Sequence, residues 1–282
     1  MEDATAVNRR RDADRGAMRN IRVQLAVALV SSLLSLPAAS AFGQAPSNAQ
    51  IVEDARTDYY NLPQQGLKEF RCDLRVDWGT ALDSRKTDAA GREELLAELR
   101  QTHFEAAVGT SGAPRVSLRF EGAAPSDDLA ARVHAATAGV QRSLSGALDE
   151  FSSLLFGSPL PPDRDYHVAA QGDRLQITFG SDEVRIVETM NKDHAIEEMI
   201  VATQHATVTV RPEFKHAEKG FLPAVIDSSV EAAGADKMEL HVEIAYQNVE
   251  GFDLPQTVSV RDKQVAGGAR LEFSFSNYQI TR

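Results

Sequence analysis

The sequence predicts an α+β fold: one large, curved antiparallel sheet, an unclosed β-barrel, with helices covering or filling its concave face. Two observations lead there. Segments with strict two-residue alternation fill the chain from Tyr166 onward, separated by short turn-type breaks. Stretches with helical period, by contrast, all lie before residue 158.

Residues 18–41 read as a secretory signal. Met18, Arg19 and Arg22 are followed by an apolar run from Val23 to Leu36, and Pro37-Ala38-Ala39-Ser40-Ala41 supplies a small-residue cleavage pattern. The run is shorter than the roughly 20 residues of a spanning helix, so cleavage is expected, with no stable membrane insertion afterwards. Residues 1–17, with Arg9-Arg10-Arg11 and no apolar period, fit a mis-called start or disordered extension. Export across the inner membrane, to the periplasm, is the expected destination.

Residues 46–282 are expected to form a single domain. A helix is predicted near 49–61, ended by Pro63 and Gly66. The run Phe70 to Trp78 then alternates, placing Phe70, Cys72, Leu74, Val76 and Trp78 on one face of a strand. Residues 87–108 return to helical period through Leu95, Leu96, Leu99, Phe104 and Val108, and Val116–Phe120 alternates again. Pro125 and Ser126 open a long helix whose buried stripe is Leu129, Val133, Ala136, Val140, Leu144, Leu148, Phe151 and Leu155.

Beyond the Pro159-Leu160-Pro161-Pro162 turn, strands are predicted at 166–171, 174–180, 183–190, 194–203, 205–210, 237–248, 256–261 and 269–280. Their spacing is that of hairpins, which favours a meander that curls to bury one apolar face. A division into two domains at 159–162 would leave residues 49–157 with two strands and little sheet to cover their helices.

Charge and composition exclude several functions. Residues 1–41 carry six basic and four acidic residues, so their removal takes the net charge from −11 to −13. Such a surface repels phosphate backbones, and no nucleic-acid partner is expected. Cys72 is the sole cysteine; no internal disulfide forms, and none stands at the cleavage site to carry a lipid anchor. No two of the seven histidines have helical metal-site spacing, and nucleophile elbow, phosphate loop and C-x-x-C motifs are absent. Adjacent acidic pairs such as Asp127-Asp128 and Glu197-Glu198 point in different directions and make no carboxylate dyad. No catalytic residue, metal or cofactor is expected.

The inward alternation positions are the candidate site. Phe70, Leu74, Trp78, Leu118, Phe120, Ile177, Phe179, Met199, Phe273 and Phe275 are candidates to line an apolar cavity between sheet and helical lid. The same residue types serve a completely filled interior equally well.

Tyr59-Tyr60-Asn61-Leu62, through Gly66-Leu67-Lys68-Glu69-Phe70 to Trp78, resembles the beginning of periplasmic lipoprotein-carrier (LolA-like) and outer-membrane lipoprotein-sorting proteins. Near the other end, Tyr246-Gln247-Asn248-Val249 and Gly251-Phe252-Asp253-Leu254-Pro255 fit the pattern Y-x-x-V-x-G-x-x-L-P. Phe273-Ser274-Phe275-Ser276-Asn277-Tyr278 then resembles the family's last aromatic strand. The resemblance implies an unclosed barrel with a helical lid that binds acyl chains of lipids or lipoproteins, as a carrier does, without catalysis. The alternative is a structural or protein-interaction module of the cell envelope with a fully packed core.

Overall fold

A computed structural model describes residues 46–83, 89–110, 113–122, 127–162, 164–234, 236–264 and 270–282. The extension at 1–17, the signal at 18–41 and the helix start at Pro125 and Ser126 lie outside them. Twelve strands form one antiparallel sheet in the order β3-β2-β1-β12-β11-β10-β9-β8-β7-β6-β5-β4. The chain builds β1 to β3, crosses one face as a long helix, starts again at the far edge with β4, and returns strand by strand until β12 pairs with β1. The sheet curves but does not close: β3 and β4 are free edges.

Strand β1 is Glu69–Val76, β2 is Thr102–Gly109 and β3 is Arg115–Phe120. The remaining strands are β4 (His167–Gln171), β5 (Arg174–Gly180), β6 (Val184–Met190), β7 (Ile196–Thr203) and β8 (Ala206–Ala217). They are followed by β9 (Gly220–Ala232), β10 (Met238–Val249), β11 (Phe252–Asp262) and β12 (Arg270–Thr281). The described helices are α1 (Pro46–Thr57), α2 (Trp78–Asp83), α3 (Ala89–Leu99) and α4 (Asp127–Leu155), with one 3-10 turn at Pro63–Gln65.

Four expectations need correction. The first strand stops at Val76 rather than Trp78, because the Asp77 side chain accepts hydrogen bonds from the Thr80 N–H (3.2 Å) and hydroxyl (2.6 Å). That caps a new helix, and Trp78 becomes its first residue. The helical period across 87–108 belongs to two elements: α3 ends at Leu99, and Phe104, Ala106 and Val108 are buried alternation positions of β2. Strand β9 was not expected, and β8 runs past the predicted end at residue 210.

Prolines hide those last two. Pro212 in β8 and Pro223 in β9 flank a register shift between Glu213 and Phe214, and Pro255 in β11 faces another between Ala245 and Tyr246. Bulges absorb a residue that cannot donate to the ladder. Tyrosine hydroxyls donate to the neighbouring carbonyls: Tyr246 to Pro223 O at 2.8 Å and Tyr278 to Pro255 O at 2.6 Å. Burial holds both phenols protonated, far above the usual tyrosine range.

The apolar interior falls into two clusters on the covered face. The first lies beneath α2, α3 and α4 and draws on β1, β2, β12, β11 and the neighbouring ends of β9 and β10. All eight residues of the predicted α4 stripe are buried within it. The second lies beneath α1 and the Leu160–Tyr166 segment, against β5 to β8. Adjacent residues mark the seam, since Tyr59 packs into the second cluster and Tyr60 into the first.

A strap at residues 58–62 holds that seam. Tyr60 N–H donates to Phe221 O (3.1 Å), Phe221 N–H to Asp58 O (2.7 Å), and Leu62 N–H to Leu155 O (2.8 Å). The strap passes directly over Gly220, whose φ is +124°; a Cβ there would lie 2.7 Å from Asp58 O. Only glycine combines that backbone conformation with that approach.

Candidate apolar binding face

Antiparallel registry sets out the covered face as rows of side chains. One row runs Ile226–Val242–Val260–Leu271 across β9 to β12, and a neighbouring one runs Ile177–Glu188–Met199–Val210 across β5 to β8. In the first row Ile226 is buried, but Val242, Val260 and Leu271 are only partly covered. Val210 is too, and it touches both clusters. Together with Leu240 they form a half-covered aliphatic strip across β8, β10, β11 and β12, mostly at the margin of the first cluster.

The ten candidate residues divide among these regions. Phe70, Leu74, Trp78, Phe273 and Phe275 are buried in the first cluster, with Leu118 partly buried at its margin. Ile177 and Phe179 are buried in the second, with Met199 at its edge. They therefore fall into two separately packed clusters. Phe120, at the end of the edge strand β3, is 47% exposed. The strip residues were missed individually, since Val242, Val260 and Leu271 differ from core positions only in how far the helices reach, which local pattern does not record.

One buried group has no sequence explanation in an apolar site. Glu188 on β6 occupies an inward position between Ile186 and Met190, is 0% exposed, and neither carboxylate oxygen has a hydrogen-bond partner among the described residues. Desolvation raises its pKa well above the ordinary carboxyl value, which favours the neutral acid. The Tyr59 and Tyr166 hydroxyls do not serve it: Tyr59 donates to His194 O (2.7 Å) and accepts from Ile196 N–H (2.9 Å), while Tyr166 donates to Pro161 O. Cys72 is buried as its alternation position implies, and burial pushes its thiol up to about 12, so it is inert as a nucleophile.

A polar hollow of about 420 Å³ opens elsewhere, at the hairpin tips joining β8 to β9 and β10 to β11. Lys215, Lys219, Glu218 and Asp253 give it mixed charge. The ammonium of Lys219 donates to Gly251 O at 2.6 Å, and that of Lys215 sits 4.4 Å above the Tyr246 ring.

On the opposite, polar face of the sheet, Asp73, His103 and Glu105 each bring one possible metal-ligating atom within 4.8 Å of the others. The metal-spacing search on the sequence could not find this group. It is built from an i, i+2 pair on one strand and a residue directly across on the next.

Among the described residues, no helix is long and apolar enough to cross a membrane. No protein-family model matches the chain, and no match was found among curated proteins or solved structures.

Proposed function

We propose that this protein binds a lipophilic ligand, the acyl chains of a lipid or lipoprotein, against the covered face of its open sheet, without catalysis and after export to the periplasm. The observation that carries the reading is the half-covered strip of Val210, Leu240, Val242, Val260 and Leu271 at the margin of the first apolar cluster. Contiguous aliphatic surface at the margin of a helical cover suits a flexible hydrocarbon. Burying about a dozen methylenes releases roughly 10 kcal/mol gross at ~0.8 each, and ordering costs subtract from that. The LolA-like patterns at both ends support the same reading, as does an unclosed antiparallel sheet with helices on one face.

Organic extraction of the purified protein followed by lipid mass spectrometry tests it. Co-purifying acyl lipid, with saturable uptake of a fluorescent fatty acid, is expected. Absence of both removes the proposal. A second reading, a non-catalytic scaffold or interaction module, is favoured by the complete burial of the α4 stripe; it expects thermal unfolding unchanged by added lipid.

A further inference from the structure

We propose that Asp73, His103 and Glu105 form a binding site for one first-row divalent transition cation, zinc foremost, on the polar face of β1 and β2. Two adjacent strands make it. His103 and Glu105 are two apart on β2 and share a face, Glu105 stands directly across from Asp73 in the β1–β2 register, and one donor atom from each residue lies within 4.8 Å of the others. One imidazole with two carboxylates is a donor set that suits a borderline cation such as Zn²⁺ better than the all-oxygen shells of Ca²⁺ or Mg²⁺.

What separates this group from an ordinary charged patch is the support behind each member. The Asn277 side-chain amide donates to Asp73 Oδ2 at 2.7 Å, and Arg119 pairs with Glu105 Oε2 at 2.8 Å. Each carboxylate keeps a second oxygen that accepts no hydrogen bond among the described residues. The Glu121 carboxylate stands 3.3 Å from His103 Nδ1, a nitrogen that is inaccessible to solvent and has no hydrogen-bond partner. A carboxylate beside the imidazole can hydrogen-bond the ring nitrogen that does not ligate, and so orient the histidine when a metal binds.

The backbone is also shaped at this point. The β1–β12 register shifts between Arg71 and Asp73, and Asn277 takes a φ of +53° opposite that shift, which brings its amide onto Asp73. Bound metal would tie β1 to β2 near the free β3 edge.

The test is titration of the metal-stripped full chain with Zn²⁺ alone, by calorimetry and native mass spectrometry. One equivalent is expected to bind. His103→Ala and Glu105→Gln should each weaken binding by at least tenfold, and Asn277→Ala by about tenfold as a positioning residue. His241→Ala, at another carboxylate-flanked histidine, should leave binding unchanged. Zn²⁺ should also raise the unfolding temperature of the wild type but not of His103→Ala, compared with each protein in chelator so that altered folding is seen separately. No stoichiometric binding by the wild type, or undiminished binding in both His103→Ala and Glu105→Gln, overturns the site.

Discussion

The two halves of the covered face solve the same problem with different materials. Over β1, β2, β12 and β11, a 29-residue helix lays down eight buried apolar residues, backed by α3 through Leu95, Leu96 and Leu99. Over β5 to β8 the cover is a 12-residue helix contributing Val52 and Ala55, the Tyr59 ring, and a loop carrying Leu160 and Tyr166. The first half is an apolar core in the ordinary sense. The second is held at its rim by polar contacts: Arg56 Nε donates to Leu160 O at 2.7 Å, and His194 Nδ1 lies 2.8 Å from Asp58 Oδ2. It also encloses the unpartnered Glu188. Close packing and polar stitching thus sit side by side on one sheet, and the half-covered strip lies at the margin of the first, meeting the second at Val210.

Substitutions can break or sharpen that contrast. The largest effect is expected in the first half, where Leu144→Ala opens a cavity beneath α4 and should cost about 2–5 kcal/mol in denaturant unfolding. At the seam, Gly220→Ala forces a Cβ against Asp58 O in a left-handed backbone conformation. It should cost roughly 2 kcal/mol, and loosening of the strap should appear as faster hydrogen exchange at Tyr60 and Phe221.

The second half predicts the opposite sign. Glu188→Leu replaces an unsatisfied acid with a side chain of similar volume and should stabilise the protein by about 2 kcal/mol near pH 7. The pH dependence follows from the raised folded pKa. The Glu188 contribution is fully present below about pH 4.3, where the carboxyl is protonated in folded and unfolded chains alike, and is lost as pH rises toward the folded value. Glu188→Gln should remove that decline in a stability profile measured from pH 4 to 8. A profile identical to wild type would mean that Glu188 has found partners or water.

Each half was legible in the sequence in part. Every residue of the α4 stripe was legible because a period of 3.6 over eight turns leaves little ambiguity. The meander from β4 to β7 was legible from its tight turns at Gly172, Gly180 and Asn191. Strand β9 was not, because Pro223 and apolar residues on both faces erase its alternation, and bulges that rescue prolines are a property of paired strands. Glu188 escaped notice for a related reason: in Val184–Met190 a single acid at an inward position looks like a register error unless the cover above it is known. The Asp73–His103–Glu105 group depends on cross-strand registry. The partition of Phe70, Leu74, Phe273 and Phe275 from Ile177 and Phe179 depends on where two helices lie, and neither is written in local pattern.

The claim of a lipophilic ligand rests on the half-covered strip. Photo-crosslinking with a fatty acid that carries a diazirine near its methyl end, mapped by peptide mass spectrometry, tests it most directly. Adducts concentrated on Val242, Val260, Leu271 and their neighbours, and competed by unlabelled fatty acid, are the result expected here. Labelling confined to exposed Phe120 and the polar face, or labelling that no competitor reduces, would contradict it.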